Sequence, residues 1–235
     1  MKHIPNFITS LNLASGFAAI VLIFSGHTVE ASWVIVAAMI FDFLDGFASR
    51  ALNAYSDMGK ELDSLADMVS FGAAPGLLIY SFLSGSATAP STGQKILFFA
   101  VSAFFLVCAG LRLARFNTDD SQKISFKGLA TPAAALSVIS LVLSAKYSGS
   151  ETVKSIIASP LWLISFSLLI STLMVTRIPL LSLKFHNLKI KGNEGRLILV
   201  ITVIILLAIF RFAGLPLIIP VYVLVSLVSL LLWTV

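Results

Sequence analysis

The sequence predicts an all-α, polytopic membrane bundle, folded as a single transmembrane domain over residues 1–235. Three observations carry this. The chain is 58% hydrophobic and only 11% charged, with a mean hydropathy of +1.00. A soluble domain has about a quarter charged residues. The apolar residues gather into runs near the length that crosses a bilayer. Four acids standing at the ends of two of these runs keep helical spacing, three or four apart.

Taken in order, residues 1–9 form a short interfacial segment with Lys2, His3 and Pro5. A first span follows over residues 10–25, interrupted by Asn12. No small-x-small cleavage site follows it, so it is read as a retained span. The second span covers residues 31–50, and residues 51–59 turn the chain. The third covers 60–83 and contains Gly72-Ala-Ala-Pro75-Gly76, a small, kinked stretch that permits close packing within the chain or against a second copy. A polar loop, 84–94, leads to a fourth span at 95–115. The charged loop 118–127 holds Asp119 and Asp120, read as solvated. Spans five (128–145) and six (155–175) follow. A basic loop, 176–196, precedes spans seven (197–210) and eight (216–233).

Eight spans put both termini on one side. Twelve of the 16 Lys and Arg then fall on that side, Lys2, Arg50, Arg112, Arg115 and Lys127 among them. The positive-inside rule places this side, with both termini, in the cytoplasm of a cell (inner) membrane. The net charge of +5 is accounted for by anionic headgroups, and no nucleic-acid partner is expected. Cys108, the only cysteine, allows no disulfide within the chain and suits a buried apolar position. His3, His27 and His186 show no ligand spacing, and Asp57 is read as a loop residue.

Of eleven acidic residues, Asp42, Asp45, Asp63 and Asp67 lie at the cytoplasmic ends of spans two and three. Each pair occupies one helix face, with apolar neighbours. Four such carboxylates repel one another in a low-dielectric site unless cations join them. An all-oxygen set favours two divalent cations, Mg2+ or Mn2+. A metal pair of this kind clamps a diphosphate. Gly46 leaves room for a phosphate at the backbone, and Arg50, one turn on, offers a guanidinium to it. One carboxylate remains available to take a proton from an attacking hydroxyl. No Cys, His or Ser stands out as a covalent nucleophile, which favours a single direct displacement.

The spacing Asp-x2-Asp-Gly-x2-Ala-Arg-x8-Gly-x3-Asp-x3-Asp resembles the signature of the CDP-alcohol phosphatidyltransferase family. It is matched at Asp42, Asp45, Gly46, Arg50, Gly59, Asp63 and Asp67, and departs from it at Ser49, where the family usually has Ala. Residues 59–72, 111–117, 127–135 and 177–184 are similar to bacterial-type phosphatidylserine synthases, with Ala130 in place of a usual Pro. The resemblance covers about residues 5–184, a six-helix family core, and leaves 185–235 as a C-terminal loop and two extra helices. It implies CDP-diacylglycerol as donor, L-serine as acceptor, and phosphatidylserine and CMP as products. It implies Asp42, Asp45, Asp63 and Asp67 as metal ligands, with Asp67 also the general base. Pro5, Asn6, Phe7, Ile8, Gly46, Arg50 and Ser56 match positions near the CDP group. Family members often pair, so a homodimer is open.

The serine carboxylate needs a cation, and Arg112, Arg115 and Lys127 are candidates on the same side. Three rivals stand beside this reading. The same chemistry with glycerol 3-phosphate or inositol phosphate would need a tighter cationic pocket. A membrane prenyltransferase leaves the Gly46, Arg50 and Gly59 spacing without a reason. An ion-coupled transporter is disfavoured by the absence of a repeat and by the acids clustering at one face.

Overall fold

A computed structural model describes residues 3–87, 89–118, 128–181 and 193–232. The described residues are all-helical, as expected. The first helix, α1 (Ile4–Phe24), begins earlier than the expected span. Residues 4–9 are its first turns rather than a separate interfacial segment. Pro5 suits this, because the missing N–H falls where a helix has no partner for it anyway. A short connection leads into α2 (Thr28–Ala51), which packs back along α1 as an antiparallel hairpin.

Next, α3 (Asp57–Asp67) passes through one π-helical stretch, Met68–Ala73, into α4 (Ala74–Gly85). Together they form a 29-residue apolar rod, Asp57–Gly85. The small stretch at 72–76 packs inside the chain. A Cβ on Gly72 would stand 3.3 Å from Leu106 and one on Gly76 3.3 Å from the Ser102 carbonyl oxygen, both on α5 (Thr92–Thr118).

α6 (Thr131–Tyr147) is the centre of the bundle, buried over most of its surface. It touches α2, α4 and α8, and even its polar residues Thr131, Ser137, Ser140 and Ser144 are buried, as in a surrounded helix. α7 (Glu151–Ile157) and α8 (Pro160–Val175) meet at a 70° bend. The expected sixth span therefore starts inside a separate short helix and breaks before Pro160. Gly128, at φ +75°, lets the chain enter α6 with its N–H donating to the Ile178 carbonyl at 2.8 Å. There a Cβ would run into the Thr176 carbonyl oxygen, 2.6 Å away.

α9 (Glu194–Phe210), a 3-10 stretch (Arg211–Leu217) and α10 (Ile218–Leu232) close the chain. Gly195, at the start of α9, lies against Ser229, near the end of α10, so the two helices fold back on one another. Among the described residues, five stretches suffice by length and apolarity to cross a membrane, and the bent α7–α8 pair makes a sixth if taken as one span. The expected count of eight also includes α6, and it takes α9 and α10 as two spans. α6 has 17 residues, about 26 Å at 1.5 Å per residue, against a hydrocarbon core of about 30 Å. The hairpin Glu194–Leu231 is continuous in apolarity and forms one 38-residue stretch. Large apolar side chains such as Phe17, Phe24, Ile204 and Leu231 are exposed on the outside, as lipid contact requires. The chain is a multi-pass membrane protein.

Candidate active site

The acids converge where α2, α3 and α1 meet. Asp42 and Asp45 lie in the last turns of α2 and Asp63 and Asp67 along α3. Carboxylate oxygens of Asp42, Asp63 and Asp67 lie within 4.8 Å of one another. Asp45 is one turn along and buried, and its Oδ2 has no hydrogen-bond partner. Asp63 Oδ1 is likewise buried and unpartnered. Buried carboxylate oxygens left without donors are costly. An all-oxygen set this tight fits hard divalent cations, so the residues present suit the metals that the motif implies.

Beside the acids is an open cavity of about 500 Å³. Asp45 and Asp63 form its inner wall, Gly46 and Ser49 one side, and Pro5 and Asn6 on α1 another. Ser49, the departure from the motif, therefore faces the cavity. The N-terminus of α3 opens into it. Ser56 caps this helix, its Oγ accepting from the Gly59 N–H at 3.0 Å, and its first N–H groups favour an anion. A Cβ on Gly59 would stand 3.0 Å from Asn6 Oδ1, so glycine there lets α1 approach the cap. Of the seven residues expected near a CDP group, Pro5, Asn6, Gly46 and Ser56 line the cavity. Phe7, Ile8 and Arg50 do not, and Phe7 is largely exposed. The Arg50 guanidinium folds back to 3.5 Å from where a Gly46 Cβ would be.

The three cations expected to bind serine separate. Arg112 is 8% exposed and within electrostatic reach of Asp67 and Asp42. It donates to Thr131 Oγ1 at 3.3 Å and stacks on the Phe116 ring at 5.1 Å. Arg115 is exposed and donates to the Val175 carbonyl at 2.7 Å, at the end of α8. Lys127 lies outside the described residues.

A CDP-alcohol phosphatidyltransferase family model matches residues 2–180. The chain belongs to the CDP-alcohol phosphatidyltransferase family. Among curated relatives of this family member is the CDP-diacylglycerol–serine O-phosphatidyltransferase of Helicobacter pylori, 36% identical over 201 residues, 84% of this chain and 78% of the relative. Its counterpart of the same name in Bacillus subtilis is 38% identical over 141 residues, 60% of this chain and 76% of the relative. The archaetidylserine synthase of Methanothermobacter thermautotrophicus is 32% identical over 164 residues, 69% of this chain and 67% of the relative.

Sequence reading missed three parts of this phosphatidyltransferase site. Asn12, fully buried on α1, donates through Nδ2 to Asp67 Oδ1 at 3.4 Å. Its only signal was that it interrupts an apolar run. Lys60 lines the cavity and donates to the Asn117 carbonyl at 3.0 Å, while Asn117 Nδ2 donates to Ser64 Oγ at 2.7 Å. These bonds tie the end of α5 to α3. The third part is the π-helical stretch that starts directly after Asp67, a local irregularity common at functional sites.

Proposed function

We propose that this chain makes phosphatidylserine, transferring the phosphatidyl group of CDP-diacylglycerol to the hydroxyl of L-serine and releasing CMP. The observation that carries this is the meeting of Asp42, Asp63 and Asp67 beside a cavity that Asp63 also lines. The names of the curated relatives support the donor and the acceptor.

In this reading, Pro5, Asn6, Gly46 and Ser56 hold the CDP group, Phe7 and Ile8 flank it, and Arg50 reaches the diphosphate. The N–H groups at the start of α3 face the same anion. Asp42, Asp45, Asp63 and Asp67 hold two divalent cations, Mg2+ or Mn2+, which when bound neutralise charge on the diphosphate. Asp67 takes the proton of the serine hydroxyl. The serine oxygen then bonds to the lipid-bearing phosphorus as the bond to the CMP oxygen breaks. Arg112 binds the serine carboxylate, and Arg115 and Lys127 add positive charge on the same side. The site and both termini face the cytoplasm, in the inner membrane. If the chain pairs, a face other than residues 72–76 serves, because those residues meet α5.

The test is CMP release from CDP-diacylglycerol by the purified protein with Mg2+ or Mn2+, offering serine, glycerol 3-phosphate, inositol phosphate or no acceptor. Serine-dependent release that Asp67→Asn abolishes supports the reading. Release with another acceptor keeps the family and overturns the serine assignment.

A further inference from the structure

Two side chains beside Asp67 each keep one buried polar atom without a partner, and the two atoms are opposite in kind. One is Asn12 Oδ1, an acceptor; the other is Arg112 Nε, a donor. Asn12 is fully buried and Arg112 is 8% exposed. The Asn12 amide nitrogen faces Asp67 and the amide oxygen faces away, the arrangement that an ionised carboxylate, which only accepts, favours. Asn12 is also held in place, because Ser70 Oγ donates to its backbone carbonyl at 2.9 Å. Arg112 is held by Thr131 and by the Phe116 ring.

Leaving such atoms unpaired is costly, and beside a candidate base both are free to pair with groups of an incoming substrate. The ligand that satisfies both carries a donor for Asn12, an acceptor for Arg112 and a hydroxyl for Asp67. A neutral amide suits the donor end. A fifth carboxylate there would crowd Asp42, Asp45, Asp63 and Asp67 and compete for cations.

We propose that Asn12 and Arg112 clamp the two charged ends of an α-amino acid: Asn12 Oδ1 accepts from its ammonium group, Arg112 binds its carboxylate, and Asp67 faces its hydroxyl. The clamp rests on the reading of serine as acceptor and deepens it, since it assigns the group that reads the amine.

The experiment compares serine with 3-hydroxypropanoate, which lacks the amine, and ethanolamine, which lacks the carboxylate. Serine-dependent CMP release by the full-length wild type is measured with each analogue as competitor and as alternative acceptor. The wild type should take serine at least about tenfold better than either. In Asn12→Leu the preference over 3-hydroxypropanoate should collapse while that over ethanolamine persists. In Arg112→Gln the pattern should reverse, with Arg112→Lys restoring part of it. General misfolding lowers turnover without producing this crossed pattern. If 3-hydroxypropanoate competes as well as serine binds in the wild type, Asn12 does not read the amine, whatever the variants do. Unchanged ratios in both variants, or an Asn12→Leu effect confined to the metal requirement, overturn the clamp and leave phosphatidylserine synthesis standing. No serine-dependent release by the wild type overturns both.

Discussion

Gly16 on α1 lies against Ser70 in the π-helical stretch, backbone to backbone. A Cβ on Gly16 would stand 2.8 Å from Ser70 Cα and 2.9 Å from its nitrogen. One turn back along α1 is Asn12, which holds Asp67. The close approach of these helices therefore sets where the candidate base sits. Gly16→Ala should destabilise the protein by about 1–3 kcal/mol through overpacking. It should also lower CMP release disproportionately, because Asp67 moves with the helix. Gly85→Ala, where a Cβ meets nothing within 4 Å, is the control and should be close to neutral. Thermal unfolding in detergent and CMP release, measured on both variants, check this.

The acids should divide by role. Asp67→Asn should lower kcat about 10²- to 10⁴-fold, the usual range for a general base, with binding of CDP-diacylglycerol retained. Asp42→Asn and Asp63→Asn should raise the Mg2+ or Mn2+ concentration needed for half activity. A chelator should abolish turnover by the wild type, and either cation should restore it. Metal titrations of CMP release separate these outcomes.

Arg50 and Arg112 should act on different substrates. Arg50→Gln should raise the apparent KM for CDP-diacylglycerol about tenfold and leave that for serine unchanged, since the guanidinium lies beside Gly46, which lines the cavity. Arg112→Gln should do the opposite. Steady-state kinetics with each substrate varied in turn test the pair.

Arg115 stands three residues from Arg112 on the same helix, but its hydrogen bond goes to the Val175 carbonyl. Arg115→Gln should therefore lower thermal stability slightly through loss of this tie between α5 and α8, with the serine KM unchanged. A raised serine KM would return Arg115 to the acceptor site.

The sequence by itself determined the class of fold, the four acids and the family. Low charge and long apolar runs are sufficient for a helical membrane protein, because an unpaired backbone cannot stay in lipid. The acid pairs were legible because spacing along one helix is a local property: residues three or four apart share a face whatever surrounds them. Tertiary structure alone decided which helices bring those faces together. It placed Asn12 on Asp67, 55 positions away, and Arg112 on Thr131, 19 positions away. It sent Arg115 to the end of α8 and turned residues 72–76 toward α5. These relations were not legible because the spanning helices such as α1, α4 and α5 are apolar on nearly every side, so hydropathy marks no stripe that says which side faces a neighbour and which faces lipid. In such a bundle the pairing is set by small residues that let backbones meet, as Gly16 and Ser70 do, and that complementarity exists only once both helices are in place.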